Sequence, residues 1–247
     1  MKIYLNRIDG WDDAIISMFL SKRTLTREFE ELIRWEVASY TSRFLGEICG
    51  MPIGGLDNDC PHEMRGWLEK LFKWCPHHIT MGRFLDFSFT VYGMHRAGQD
   101  DIDSHAKRME NRIIRSSTRL ADFSQGEMSE FYDGKIIPTD TALAILGITA
   151  PEELEYNGQT YVKGVNGYIL KGMENNRDVK RGLYMLSIPS NFIFKMNLTE
   201  FAHLYKERNK NGTANQEVKD CIESAADQLE RASMGYINRD LLLAIKN

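Results

Sequence analysis

Residues 78–119 read HITMGRFLDFSFTVYGMHRAGQDDIDSHAKRMENRIIRSSTR, and this stretch decides the expected fold and site. An apolar segment of strand type at 84–92 leads into a turn at 93–97. A polar segment follows that is dense in cations and hydroxyls: His105, Lys107, Arg108, Arg112, Arg115, Ser116, Ser117 and Arg119. Guanidinium groups and hydroxyls gathered after a buried strand favour an anion site, with phosphate as the expected ligand.

The bulk composition is that of an ordinary globular protein. Hydrophobic residues make up 43% of the 247 residues and charged residues 27%, so the chain can bury a core of its own. The net charge of −4 argues against a general nucleic-acid binder, which is usually basic overall. The sequence has no apolar run long enough for a transmembrane helix, and its first residues lack the apolar centre of a signal peptide. We therefore expect a cytoplasmic protein with no membrane or nucleic-acid partner.

The hydrophobic pattern predicts one α+β domain over residues 1–247, with a small mixed sheet flanked by long helices. Strands are predicted at 2–8, 84–92 and 191–196, and a hairpin at 154–162. Asn157-Gly158 inside that hairpin favours a type I′ turn. Helices are predicted at 12–20, 26–48, 61–74, part of 100–120, 141–146, most of 173–186, 197–208 and 214–234.

Two clusters of cysteine and histidine resemble the ligands of a zinc site. They are Cys60-Pro-His62 and Cys75-Pro-His77-His78. A helix between them would hold the clusters about 20 Å apart, at ~1.5 Å per residue, which is too far for one ion. We therefore predict no metal site and expect a small buried thiol at each end of the helix. The cysteines form no CxxC pair, which favours reduced thiols.

Three groups of motifs follow one another along the chain. The first contains His78-x-Thr80, Phe87-Ser88-Phe89, Gly93-Met94-His95-Arg96-Ala97 and Ser104-His105-Ala106, and it ends in Ser117-Thr118-Arg119. The second runs from Arg177 to Arg181 and continues to Leu186 and Pro189. The third contains Asn197-Leu198-Thr199-Glu200-Phe201, Arg208 and Ala214-Asn215-Gln216-Glu217-Val218. In this order and spacing the motifs resemble the signature of the flavin-dependent thymidylate synthases, the ThyX family.

The resemblance implies a ThyX-like fold, assembled as a homotetramer, and a methyltransferase of nucleotide biosynthesis. Family members make dTMP from dUMP, with methylenetetrahydrofolate as the one-carbon donor and with FAD and NADPH as the source of reducing equivalents. The partners implied for this chain are therefore dUMP or a related pyrimidine nucleotide, a folate and further copies of itself.

The resemblance also implies roles for individual residues. It places Ser117 and Arg208 in the catalytic site, where both also bind the substrate together with Arg119 and Arg181. It assigns the flavin cofactor to His78, Arg96, His105, Asn197, His203 and Gln216. Guanidinium groups suit a phosphate dianion, and a fixed cation stabilises negative charge on the pyrimidine ring. The alternative reading of each arginine is a surface ion pair, and that of Asn197 is a helix cap.

The sequence departs from the family pattern at several positions. Ser104 and Ala106 stand where the family has flavin-binding arginines, and Asp101 stands where it has glutamine. The segment before Ser117 is three residues longer than the family spacing. Two alternatives therefore stay open beside C5 methylation of dUMP. One is a nucleotide-binding protein of this fold without flavin or catalysis, and the other is a pyrimidine hydroxymethylase.

Overall fold

The computed structural model describes residues 1–41, 60–104, 112–116, 128–176, 179, 182–184, 186–210 and 215–246. Its strands are β1 (Lys2–Asp9), β2 (Asp86–His95), β3 (Arg112–Arg115), β4 (Glu153–Tyr156), β5 (Gln159–Gly164), β6 (Gly167–Leu170) and β7 (Pro189–Asn197). Its α-helices are α1 (Trp11–Ser21), α2 (Arg27–Thr41), α3 (His62–Trp74), α4 (Ile79–Gly82), α5 (Arg96–Asp103), α6 (Thr139–Ile145), α7 (Leu198–Tyr205), α8 (Gln216–Ala232) and α9 (Arg239–Ala244). A 3-10 turn spans Glu130–Tyr132, and a π-helical turn spans Lys206–Lys210. The predicted α+β class is confirmed.

The strands form two separate sheets. One has four strands in the order β1-β2-β7-β3, and the other has three in the order β4-β5-β6. Every pairing in the described residues is antiparallel, so the predicted mixed sheet is wrong. An apolar pattern identifies a strand, but it carries no information about the direction in which distant strands pair.

The main core lies against the four-stranded sheet. Strand β2 buries Phe87, Phe89 and Val91, and Phe89 stacks on Phe194 of β7 with 5.1 Å between ring centroids. Helix α3 buries the face that its periodicity predicts, which consists of Met64, Trp67, Leu68, Leu71 and Phe72. Helix α8 does the same with Val218, Ile222, Ala225 and Leu229. Helical periodicity therefore identified the core faces of both helices.

The signature region folds differently from its prediction. The turn expected at 93–97 is instead the end of β2, which continues to His95, and α5 begins at Arg96. The register shifts between Val91 and Met94, where Gly93 adopts a φ of 75°. The part of the predicted 100–120 helix at 112–115 is the strand β3, paired with β7 at the edge of the sheet. Its four residues are too few to show a strand period.

Among the remaining elements, one prediction is confirmed and others are wrong. The β4–β5 hairpin is confirmed, with φ of 53° at Asn157 and 72° at Gly158, as a type I′ turn requires. Residues 173–176 and 182–184, predicted as helix, form turns or irregular backbone. The prediction omits β6 and α9, because elements of four and six residues carry little periodicity.

The cysteine prediction is confirmed in the part of the chain that the structure describes. Cys60 lies just before α3 and Cys75 just after it, and both are buried free thiols, as is Cys221. Among the described residues, no group of histidine, cysteine and acidic side chains could hold a metal ion. Cys49 lies outside the described residues. No helix in the described ranges is long and apolar enough to cross a membrane.

Candidate functional site

Helix α5 lies at the centre of the candidate site and is fixed to the main sheet by Gln99. The two N–H bonds of Gln99 Nε2 are shared among three acceptors, namely the Met94 carbonyl at 2.9 Å, the Ser190 carbonyl at 3.2 Å and the Ser190 hydroxyl at 2.5 Å. Gln99 is fully buried, so these bonds are shielded from water. The chain therefore holds α5 in one position against β2 and β7.

A buried histidine, His95, immediately precedes α5. His95 Nδ1 is hydrogen-bonded to the Glu217 carboxylate in the first turn of α8, and the His95 backbone N–H donates to the same oxygen at 3.2 Å. The Ser129 hydroxyl donates to the other Glu217 oxygen at 3.1 Å. The imidazole also stacks on Phe131, with 5.1 Å between centroids. Segments far apart in sequence thus meet at His95.

The electrostatics of Glu217 follow from these contacts. Burial raises the pKa of this carboxyl, but the hydrogen bonds and electrostatic attraction of His95, together with the hydrogen bond from Ser129, outweigh burial and leave its pKa below the ordinary value. Burial and the Glu217 charge both raise the pKa of Tyr132, which lies edge-on to His95. Glu217 is therefore a carboxylate at neutral pH. Sequence reasoning did not assign a role to either His95 or Glu217, because their partnership depends on tertiary structure.

Arg115 neutralises part of the acidic face of α5. Its guanidinium pairs with the carboxylates of Asp100 and Asp103, which lie one turn apart on the helix. Because Arg115 belongs to β3, these two ion pairs connect the edge strand to α5. The guanidinium that the sequence placed in a phosphate cluster is thus occupied by two carboxylates of the same chain.

Arg208 reaches the last turn of α5. From the π-helical turn its Nη2 donates to the Asp101 carbonyl at 2.6 Å and to the Ser104 hydroxyl at 3.2 Å. Its Nε atom is buried and has no hydrogen-bond partner among the described residues. A buried N–H without a partner costs free energy that a ligand acceptor would recover. The structure therefore brings the third motif group onto the first, at Arg208.

The described cofactor candidates do not converge on one place in a single chain. Arg96 Nη1 lies 3.5 Å from the Ser116 carbonyl near α5, and Gln216 is exposed and donates to Asp220 at 2.7 Å. Asn197 is the N-cap of α7, and its side chain accepts from the Glu200 N–H at 2.9 Å. The capping role predicted for Asn197 is confirmed.

His78 and His203 lie on other elements. His78 precedes α4 and its ring lies 5.5 Å from that of Trp74. Helix α4 packs on the start of α7, where the Thr199 hydroxyl donates to the Ile79 carbonyl at 3.0 Å. Arg208 lies nine residues after Thr199, which separates it from the start of α7 by roughly 13 Å along the helix, at ~1.5 Å per residue. His203 lies between these ends on α7.

Four predicted site residues lie outside the described residues. They are Ser117, Arg119, Arg181 and His105. Their roles stay predictions from the resemblance.

The diphosphate of FAD does not fit the described part of α5. A diphosphate needs cationic or N–H donors, but Ser104 stands at the end of this helix where an arginine is expected. The helix itself carries the carboxylates of Asp100, Asp101 and Asp103, and Arg115 is already engaged by two of them. A flavin bound by this protein would need its phosphates held by other residues.

A cavity of about 820 Å³ opens between the second sheet and α6. Asp140 and Lys163, whose charged groups lie 3.6 Å apart, contribute to its wall, together with Leu183 and Tyr184. None of the predicted site residues that the structure describes lines this cavity. It is a concave surface separate from the contacts of Arg208.

Comparison with known proteins identifies the fold. No protein-family model and no curated protein sequence matches the chain. Among solved structures, it is similar to flavin-dependent thymidylate synthase ThyX from Helicobacter pylori complexed with FAD and dUMP, with a TM-score of 0.54 and 15% identity over 98% of this chain and 99% of the other. A second structure of ThyX from Helicobacter pylori with FAD and dUMP has a TM-score of 0.53 and 14% identity, over 98% of this chain and all of the other. The chain therefore has the fold of the flavin-dependent thymidylate synthases.

Proposed function

We propose that this protein binds a pyrimidine nucleoside monophosphate beside the last turn of α5 and transfers a one-carbon unit to the C5 atom of the pyrimidine. In its full form the proposed reaction is methylation of dUMP from methylenetetrahydrofolate, with FAD and NADPH as the reducing system. The fold supports this proposal, since both similar structures are complexes with dUMP and FAD. The observation on which the proposal depends is the contact of Arg208 with Asp101 and Ser104.

Arg208 has the chemistry that such a site needs. Its Nε–H has no hydrogen-bond acceptor among the described residues, so we assign to it the role of donor to a ring oxygen or nitrogen of the substrate. Substitution at C5 of uracil passes through an enolate-like state, and a fixed guanidinium stabilises that negative charge. Arg119 and Arg181 are proposed to bind the phosphate dianion, and Ser117 to hydrogen-bond the base.

The separation of the cofactor candidates supports an assembly of several copies. His78 and Asn197 lie near the start of α7, whereas Arg96 and Gln216 lie near the start of α5. A second chain that places its His78 region against the α5 region of the first would complete one site. We therefore propose the homotetramer, acting in the cytoplasm, as the functional form.

The acidic face of α5 favours a second candidate function. Asp100, Asp101 and Asp103 oppose a flavin diphosphate at this helix, which suits a protein that works without flavin. Transfer of a methylene group with addition of water gives a 5-hydroxymethyl pyrimidine and tetrahydrofolate, and it consumes no reductant. The same acidic face of α5 is also compatible with a protein that binds a nucleotide without catalysing a reaction.

Calorimetric titration with dUMP tests the nucleotide site. Arg208→Lys keeps the charge but removes the Nε–H and the planar fork, so its affinity for dUMP should fall about tenfold or more. Arg34→Lys is the matched control, because Arg34 pairs only with surface carboxylates of α1 and α2 among the described residues. Equal dUMP affinity in both variants and the parent protein would exclude Arg208 from the site.

The absorbance spectrum and product analysis then separate the candidate functions. Purified protein with the visible absorbance of oxidised flavin that makes dTMP supports the methyltransferase. Colourless protein that makes 5-hydroxymethyl-dUMP from dUMP and methylenetetrahydrofolate supports the hydroxymethylase. Colourless protein that binds dUMP and makes neither product supports the binding protein.

A further inference from the structure

We infer that His95 is a positioning residue, locked by Asn215 and Glu217 as the neutral imidazole that carries its proton on Nδ1, and that this lock sets the orientation of α5 under the nucleotide site. The inference about orientation rests on the proposed function, whereas the state of the imidazole does not. Neither ring nitrogen of His95 is exposed, and both have a partner.

The orientation of the Asn215 amide determines which His95 nitrogen carries the proton. Asn215 is the N-cap of α8, and its Oδ1 accepts from the Val218 N–H at 3.0 Å. With Oδ1 used in this way, the atom that lies 3.1 Å from His95 Nε2 is the amide nitrogen Nδ2. An amide N–H₂ donates only, so Nε2 must accept and carries no proton.

The partner of Nδ1 leads to the same assignment. Glu217 is a carboxylate, and a carboxylate only accepts, so Nδ1 must donate its proton to it. The other neutral tautomer would set an N–H against the Asn215 amide and a lone pair against the Glu217 carboxylate. Both contacts would then repel. The two neighbours therefore select one of the two neutral forms.

This lock joins the elements that build the nucleotide site. His95 immediately precedes α5, and both of its hydrogen-bonding partners belong to the start of α8. Phe131 stacks on the ring from the 3-10 turn and limits its rotation. At its other end, α5 presents Asp101 and Ser104 to Arg208. His95 and these contacts lie at opposite ends of one eight-residue helix, so we expect a displacement at His95 to shift these contacts as well.

Nitrogen NMR of ¹⁵N-histidine-labelled protein tests the imidazole state directly. In the wild-type protein at neutral pH, His95 should show a protonated Nδ1 and an unprotonated Nε2. Asn215→Asp keeps the N-cap but replaces the amide donor with a second carboxylate, so His95 should become protonated at both nitrogens. Asn238→Asp is the control, because Asn238 caps α9 in the same way without contacting His95.

Two NMR results would overturn the assignment. One is a wild-type His95 protonated on Nε2, and the other is an Asn215→Asp variant with an unchanged ring. His95 is assigned by the loss of its signals in His95→Phe, a variant that keeps the aromatic stack but neither hydrogen bond.

The affinity for dUMP tests the positioning role. His95→Phe, checked by circular dichroism to be folded, should bind dUMP about tenfold more weakly than wild type, because the loss of two buried hydrogen bonds releases α5. The same titration of Asn238→Asp should match wild type. A folded His95→Phe protein with wild-type affinity for dUMP overturns the positioning role. If His95→Phe does not fold, Asn215→Asp decides instead. An Asn215→Asp protein with a changed ring state and wild-type affinity for dUMP overturns the positioning role as well. Wild-type protein that binds no dUMP overturns the proposed function and the positioning role together, while the NMR result still decides the imidazole state.

Discussion

One oxygen of Glu217 accepts two hydrogen bonds from His95, one from the backbone N–H at 3.2 Å and one from the imidazole Nδ1. The carboxylate lies in the first turn of α8, where the helix dipole also favours negative charge. This oxygen therefore holds both the main chain and the side chain of His95, the residue immediately before α5. A change at Glu217 acts on two helices at once.

Removal of the Glu217 charge should destabilise the protein. In Glu217→Gln the amide is a weaker acceptor for His95, and its N–H₂ faces one of the present donors. We expect the free energy of unfolding to fall by about 2 kcal/mol, as measured by urea denaturation. Asp220→Asn on the exposed side of the same helix should change it little. Equal stability of the two variants would show that the His95–Glu217 contact contributes nothing net.

The lowered pKa of Glu217 gives a pH dependence with a definite sign. The folded protein holds this carboxyl below its ordinary pKa of 4.5, so its contribution to stability is fully present above that value. The contribution is lost as the pH falls through the lowered folded pKa. Urea midpoints measured from pH 7 to pH 3 should therefore fall less steeply at the acid end for Glu217→Gln than for wild type. Parallel curves would contradict the assignment.

Gly10 should tolerate no side chain. It adopts a φ of 80° before α1, and a Cβ atom there would lie 1.9 Å from the Phe84 carbonyl oxygen. Gly10→Ala should cost more than about 3 kcal/mol, since backbone strain and a clash with main-chain atoms add. Gly235 has a similar φ of 83° but open space around it, so Gly235→Ala should cost only about 1–2 kcal/mol. Thermal denaturation of both variants measures the difference, and equal costs would remove the clash as a cause.

Buried thiols should resist alkylation in the native protein. Burial raises the pKa of Cys75 to about 12, and burial with nearby acidic groups also raises that of Cys221. The thiolate is the reactive species, so iodoacetamide at pH 8 should leave both unmodified until urea unfolds the chain. Peptide mass spectrometry locates the modified residues. Rapid native alkylation of Cys75 would mean that the end of α3 opens to solvent.

Helix faces and one hairpin could be predicted because their signals are local. The buried face of α3 repeats at helical spacing from Met64 to Phe72, and Asn157-Gly158 specifies its own turn. The exposed end of the sheet could not be predicted in the same way. β3 is short, and it becomes a strand only because β7 offers it an edge.

The candidate site shows the same division. The motif order assigns Arg208 to the site, and this role stays a prediction. The contact of Arg208 with Asp101 and Ser104 of α5 is visible only in the structure. Nothing in the sequence indicated that Arg115 forms ion pairs with Asp100 and Asp103, which compete with any bound anion for its guanidinium. Ion pairs of this kind depend on which elements become neighbours, and composition does not record that.

The sequence by itself determined the α+β class, the principal helices and the resemblance that names the fold, because periodicity, turn chemistry and motif spacing are properties of neighbouring residues. Only the tertiary structure decided that the sheet is antiparallel and that His95 is held between Asn215 and Glu217. His95 and Glu217 are 122 residues apart. Strand direction and the partner of a buried polar group are fixed when distant segments pack together, and each buried donor must then find whatever acceptor the fold has brought beside it.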